Sequence, residues 1–291
     1  GDKISEEFQK GFNTVILENH GVVIGAKSMF DAFKSFETLD FSARLEIDAQ
    51  SLGTPNTLTP EQIDWYKSRQ YVVMDEFVEK HMASEEKDIR RNMCKFIKRA
   101  YDQELFTSTQ GTFSQRFGED GFIITPSGMD RKYLEPEDLV KIMGNYKEMD
   151  KVPSRSVALH QEIYRQHPHV NSIIIAHPPC MMAFAVTDAP LDSRTIPESY
   201  ILMRNIPKLD FGMNYLKPKE TAAVFKANTP IALIKNDCAI VTGDSLLNAF
   251  DRLEVAEYSA RAIIAARDLG DVVAINDDEI KDIEKAFNLP E

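Results

Sequence analysis

The chain repeats itself. Residues 15–53 align with residues 232–270 at a constant offset of 217, with no gap. Asn19 matches Asn236, Ser28 matches Ser245, and Ala32-Phe33 matches Ala249-Phe250. Glu37 matches Glu254, Ser42-Ala43-Arg44 matches Ser259-Ala260-Arg261, and Leu52-Gly53 matches Leu269-Gly270. Each copy reads as two short apolar strands around a polar turn, followed by a long helix. Such a unit cannot bury its own apolar face. Only the second copy follows enough chain to make a full domain. The expected organisation is therefore a tandem one. Residues 1–53 are the last part of a first domain, 54–83 a linker and helix, 84–270 a complete domain, and 271–291 an acidic tail.

Composition narrows the function classes. Of 291 residues, 43% are hydrophobic and 27% charged, which is ordinary for a globular protein. The formal net charge of -12 argues against a nucleic-acid or anionic-membrane partner, since no basic stripe is present to release counterions. Cys94, Cys180 and Cys238 have no short metal spacing and cannot all pair. That suits a reducing compartment, and a cytoplasmic location is expected. No run reaches ~18 uninterrupted apolar residues, so no membrane-spanning helix is expected. The opening GDKISEEFQKGF is too polar and acidic for a signal peptide, and Gly1 without a Met is read as a processed or truncated start.

Taken in order, TVILENHGVVIG (residues 14–25) predicts two strands around Glu18-Asn19-His20-Gly21. A helix from Ser28 to near Gly53 follows. A second helix starts near Pro60, with Ile63, Tyr66, Val73 and Phe77 mostly on one face. A third runs from Ser84 to Glu104. The stretch GTFSQRFGEDGFIITPSG from Gly111 predicts a β-hairpin turning at Gly118-Glu119-Asp120-Gly121. Glu135-Pro136-Glu137-Asp138 loads acid onto a helix N-terminus. Met181–Val186 reads as a short helix, Tyr200–Met203 as a strand, and Lys219–Lys226 as a helix. Strands at Ile231–Ile234 and 239–241, a helix at Ser245–Arg267 and a short helix at Asp277–Phe287 complete the reading.

The stretch PSRSVALHQEIYRQHPHVNSIIIAHPP (Pro153–Pro179) joins a helix to a buried strand that ends in a histidine. Ser156 and His160 are four apart and share a helix face. Ser172–Ala176 has the β-branched run of a strand buried on both sides. His177 stands at its open end, where Pro178-Pro179 stops the pairing.

Several of these stretches, in this order, resemble the class II aldolase/adducin family. Thr109-Gln-Gly-Thr-Phe-Ser114 is similar to its T-x-G-N-x-S loop, and Ile124-Thr-Pro-Ser-Gly128 to its I-T-P-S/T-G loop. Pro153 to His160 with Ile173 to Pro179 resembles its P-S-S-E…H helix followed by V-V-H-x-H-P-P. Glu18–Gly25 resembles its N-H-G-V-V-V-x-G hairpin. The resemblance spans nearly the whole chain. It implies an α/β fold, a three-layer α/β/α sandwich with a mostly antiparallel central sheet. It also implies a homo-oligomer, since the family's members are typically ring tetramers.

The family's chemistry is metal-dependent aldol cleavage or epimerisation of a sugar phosphate. A divalent metal, usually zinc, is held by His and acid positions and stabilises an enediolate. Here Ser156 stands at the family's Glu position, Ile175 at the first His of H-x-H and Asp237 at the third His. Only His177 matches. An isoleucine cannot bind metal, and one His with one Asp is below the usual three protein ligands. The resemblance thus leaves His177 and Asp237 as the metal positions, His20 as the matching histidine of the first copy, and no catalytic residue. No tightly bound cofactor is expected. The phosphate positions carry over better: Thr109, Gly111, Thr112, Ser127, Gly128, Ser154 and Arg155 keep a small, donor-rich character. Ser156, Ile175, His177 and Asp237 are expected around one pocket, with a His177–Asp237 hydrogen bond raising the histidine's pKa. His160 is expected to be a structural hydrogen-bonding group, and His81, His167 and His169 to lie at the surface. The expected ligand is a phosphorylated sugar or another anion. The alternative is a non-catalytic, adducin-like binding or assembly domain. A nucleotide-binding module is set aside, because no glycine-rich fingerprint follows a strand.

Overall fold

The structure, a computed structural model, describes residues 1–79, 81–267 and 269–290. It divides into two units, Gly1–Arg44 and Leu45–Glu291. The first holds α1 (Asp2–Gln9), β1 (Thr14–Leu17), β2 (Gly21–Ile24) and the start of α2 (Met29–Leu52). Helix α1 was not legible in the sequence; its Phe8 ring lies 3.6 Å from where a Cβ would stand on Gly25. Strands β1 and β2 form a two-stranded antiparallel sheet, with Thr14 opposite Ile24 and Leu17 opposite Gly21.

The second unit is built on a nine-stranded sheet. Its helices and strands, in chain order, begin with α3 (Pro60–Ser68), β3 (Asp75–Phe77), α4 (Ser84–Asp102), β4 (Thr112–Phe117) and β5 (Gly121–Ile124). Then come β6 (Val140–Met143), β7 (Tyr146–Glu148), α5 (Val157–Gln166), β8 (Ser172–Ala176), α6 (Pro179–Ala185) and α7 (Pro197–Met203). The remainder is β9 (Lys208–Leu209), α8 (Met213–Leu216), α9 (Pro218–Ala222), β10 (Ile231–Ile234), β11 (Cys238–Gly243), α10 (Leu246–Ala266) and α11 (Asp277–Ala286). The sheet order is β3-β7-β6-β5-β4-β8-β11-β10-β9. Only the outermost pairs, β3 with β7 and β9 with β10, are parallel.

Strand periodicity sorts the core onto two faces. Ile173 and Ile175 of β8 pack with Val157, Leu159 and Ile163 of α5 on one face. Ile174 points the other way, opposite Phe113 of β4, on the side that α4, α6 and α10 cover. Phe96 of α4 meets Phe250 of α10 edge-on at 5.1 Å. Phe113 and Phe250 are fully buried, and each such side chain contributes about 1.5–3 kcal/mol. This is the three-layer α/β/α sandwich with a mostly antiparallel sheet.

The repeat is local geometry as well as sequence. Ile231 opposes Val241 and Ile234 opposes Cys238, the register of the first copy shifted by 217. Asn19 (φ 53) and Asn236 (φ 55) both take the left-handed conformation that asparagine tolerates. The His20 amide donates to the Leu17 carbonyl, and the Asp237 amide to that of Ile234, at 3.0 and 3.1 Å. Ser28 and Ser245 cap their helices by accepting from the amides of Asp31 and Asn248. His20 and Asp237 therefore occupy the same point of the same turn.

Four expectations need correction. The Pro60 helix stops at Ser68, where Arg69 turns extended, and Phe77 belongs to the separate strand β3. Tyr200–Met203 is helical: Pro197 opens α7 in its first turn, and Ser199 and Met203, four apart, bury one face. Glu135–Asp138 carries only a single 3₁₀ turn, because Asp138 folds back to accept from the Glu135 amide. The Lys219–Lys226 helix is shortened to Pro218–Ala222.

Candidate functional site

The β4 approach, the β5 exit and the start of α5 meet beside the C-terminal end of β8. Gly111 enters β4 with φ 76, and a Cβ there would stand 2.8 Å from the Phe106 ring, so the position takes only glycine. Arg131 buttresses this loop from below. Its guanidinium is buried and donates to the carbonyls of Gln110, Gly111 and Met129 at 2.8–3.1 Å. Burial lowers its pKa to about 10, so it stays charged at neutral pH while its donors are spent on carbonyls. On the α5 side, Thr112 Oγ1 and Ser154 Oγ share a 2.7 Å hydrogen bond, and Ser154 Oγ and Ser156 Oγ one of 3.0 Å. The Ser154 amide donates to the Thr125 carbonyl, and the Ser127 amide to that of Val152, which clips the two loops together.

These loops line one cavity of about 100 Å³. Thr109, Gly111, Thr112, Ser127, Ser154 and Arg155 are in its wall, and so are Ser156, Ile175, His177 and Asp237. Gly128, with φ 73, is exposed and is not in the wall. His20 is exposed in the β1–β2 turn of the first unit. Tyr66, Arg69, Gln110, Arg131, Tyr215 and Cys238 also line the cavity and were missed in the sequence.

Arg69 comes from the segment that reads as a linker and helix. Thr59 and Gln62 form a capping box and Pro60 opens the first turn, so α3 is a well-started short helix. Trp65 anchors it, edge-on to Phe211 at 5.7 Å and against Tyr215 at 6.5 Å. Gly212 (φ 84) makes the contact possible, since a Cβ there would lie 2.9 Å from the Trp65 ring. Arg69, four residues on, is held between aromatic faces. Its guanidinium carbon lies 3.4 Å from the Tyr66 ring centre and 4.2 Å from that of Tyr215. Nε donates to the Tyr66 carbonyl at 3.1 Å, whereas one terminal nitrogen, Nη1, is buried with no partner. The signal in the sequence was the single Trp followed one turn later by Arg, inside an otherwise polar stretch.

At the β8 end, Asp237 Oδ2 accepts from Asn214 Nδ2 at 2.8 Å. His177 Nδ1 is buried and has no partner. The expected rise in the His177 pKa is reversed: burial lowers it and outweighs the pull of the nearby Asp237 charge. Burial likewise holds the Cys238 thiol well above its ordinary value, and so protonated. Among the described residues, no three His, Cys, Asp or Glu side chains come together as a metal ligand set. His160 lies off the cavity, fully buried in the core. Its Nδ1 bonds Ser114 Oγ at 2.7 Å, and that hydroxyl also bonds the Tyr164 hydroxyl. His81 and His169 are exposed. His167 is half-buried, with Nε2 2.8 Å from the Ala222 carbonyl.

Residues 1–47 and 91–264 match the family model described as Class II Aldolase and Adducin N-terminal domain. An L-fuculose phosphate aldolase of Methanococcus vannielii is 29% identical over 163 residues, 55% of this chain and 87% of that protein. A 3-oxo-tetronate 4-phosphate decarboxylase of Escherichia coli is 25% identical over 198 residues, 64% of this chain and 91% of that one. Among solved structures, YgbL from Escherichia coli shares the fold with a TM-score of 0.61 at 22% identity, covering 69% of this chain and 99% of its own.

Proposed function

Because the chain belongs to the class II aldolase/adducin family, we propose that its Leu45–Glu291 unit binds a phosphorylated sugar and does not perform metal-dependent aldol cleavage. One observation carries the reading: the hydroxyl- and arginine-bearing phosphate positions and the four metal-site positions, three of them substituted, line the same cavity. The two named relatives act, by name, on phosphorylated compounds, which supports a phosphate ester as ligand. Thr109, Thr112, Ser127, Ser154 and Arg155 supply donors for a phosphate.

The residues present do not fit the family's metal. In that family the metal supplies a Lewis acid for an enediolate. Here Ser156 is short and its hydroxyl is engaged with Ser154, and Ile175 offers no lone pair. His177 and Asp237 remain, below the usual three ligands. We further infer that residues 1–53 are the closing unit of a first domain of the same kind. The shared register and helix cap support this.

Isothermal titration with a four-carbon sugar phosphate tests the reading. Binding is expected in the wild type, and Arg155→Ala should weaken it by about tenfold, the effect of losing one charge-assisted contact. Zinc titrated into the same protein should find no stoichiometric site, and Ser156→Glu, Ile175→His and Asp237→His together should create one. Stoichiometric zinc held by wild-type His177 and Asp237, or failure of the sugar phosphate to bind, would sink the proposal.

An assembly role of the adducin kind is the second reading, and the first copy of the repeat favours it. Met29 is 87% exposed and Phe33 44%, whereas their counterparts Leu246 and Phe250 are 6% and 0% exposed. Apolar positions left open in this way suit a second copy of the chain. Light scattering at micromolar concentration should give more than one chain's mass; a monomer at that concentration removes this reading.

A further inference from the structure

Arg69 is absent from the family-matched stretches, which stop at residue 47 and resume at residue 91. It nevertheless reaches the same cavity as His177 and Asp237. Its fixed position is unusual for a long cationic side chain. Two ring faces flank the guanidinium, the Nε donor is spent on the Tyr66 carbonyl, and Nη1 is left buried without an acceptor. A buried, unpaired donor on a charged group is costly, and a bound anion removes that cost. The charges around it are few. Arg131 is occupied by carbonyls and Asp237 is held by Asn214. Arg69 and Arg155 are thus the cavity's cations with donors to offer. They also jointly line an adjoining space of about 320 Å³, so a ligand longer than a phosphate has room between them.

We propose that Arg69 is a second anion-binding group of this cavity, and that the ligand is a phosphorylated sugar acid, with its phosphate on the Thr109–Thr112, Ser127 and Ser154–Arg155 loops and its carboxylate on Arg69. The proposal rests on the phosphate reading above and specifies the other end of the ligand. A guanidinium packed against two aromatic rings keeps its donors in one plane, which matches a planar carboxylate. The tetrahedral phosphate is better served by the hydroxyl-rich loops, whose donors converge from several directions. Arg69 then supplies, from a segment outside the family-matched stretches, a positive charge in the same cavity.

The protein carries its own probe. Trp65 is its single tryptophan, and the Arg69 guanidinium carbon lies 5.8 Å from the indole centre. Titrations with 4-phosphoerythronate and with erythritol 4-phosphate, followed by Trp65 fluorescence and by calorimetry, differ only in the carboxylate. The wild type should bind the acid about tenfold more tightly than the alcohol, as expected for one charge-assisted contact. Arg69→Met should abolish that preference by weakening the acid about tenfold more than the alcohol, and Arg69→Lys should retain part of it. Equal affinities in the wild type overturn the Arg69 assignment and leave the phosphate site standing. Equal loss of both ligands in Arg69→Met also overturns it, by making Arg69 a structural part of the wall. Failure of both ligands to bind the wild type overturns the assignment and the phosphate reading together. The wild-type comparison needs no variant, and a thermal melt of each variant checks that it is folded.

Discussion

A buried imidazole without a charged partner makes one residue a sensor of acid. Burial alone pushes the His160 pKa from its ordinary 6.5 down to about 3. The folded protein therefore keeps His160 neutral where the unfolded chain takes up a proton. Its contribution is fully present above about pH 6.5 and is lost as pH falls toward 3. Between pH 7 and 5 the loss should be on the order of 2 kcal/mol, read from urea unfolding at the two pH values. His177, also lowered, acts in the same direction. In His160→Asn the difference between the two pH values should shrink by most of that amount, and an unchanged difference would show that other groups carry it. At this scale the sequence told most where a motif fixed the position. Ser156, Ile175, His177 and Asp237 could be placed together because the resembled family brings those four positions to one site. Arg69 could not, since its role depends on Trp65 finding Gly212 across the fold.

At the scale of elements, a buried charge cluster joins α4 to the far half of the sheet. Arg90, fully buried, donates to Glu86 at 2.8 Å, to Glu148 at 2.8 Å and to the Leu139 carbonyl. Lys141 of β6 donates to Glu86 at 2.8 Å and to Glu79 at 2.6 Å. Arg90→Met removes a buried cation from both Glu86 and Glu148. It should cost about 3–5 kcal/mol in chemical denaturation. A loss below about 1 kcal/mol would mean that Lys141 suffices alone. Burial pushes the Glu148 carboxyl up, but Lys151 and Arg90 outweigh it and hold it below the ordinary carboxylate range. The stability it gives is present above that range and fades as pH falls below it. The same cluster explains why β6 and β7 were not legible. Strands of three or four residues carrying Lys141, Lys147 and Glu148 look like surface turns until their tertiary partners are in place. Long helices such as α4 and α10 were legible, because their apolar periodicity runs over many turns.

At the scale of the molecule, the order of motifs fixed the layers and the repeat located matching strands 217 residues apart. The helix α1 and the end strands β3 and β9 stayed hidden, since short segments are decided by their neighbours. The repeat has one more consequence. The same ladder exists in two settings: β10 and β11 lie between β9 and β8 in a nine-stranded sheet, while among the described residues β1 and β2 pair only with each other. Among the described residues, β10 is buried throughout and β1 is not. The backbone protons of the second ladder can trade with solvent deuterium only when the large sheet opens, whereas those of the first can do so whenever one hairpin breathes. One strand–turn–strand register thus runs two clocks in one chain, and the gap between them reports what seven additional strands, together with the different side chains of β10 and β11, contribute at eight matching positions.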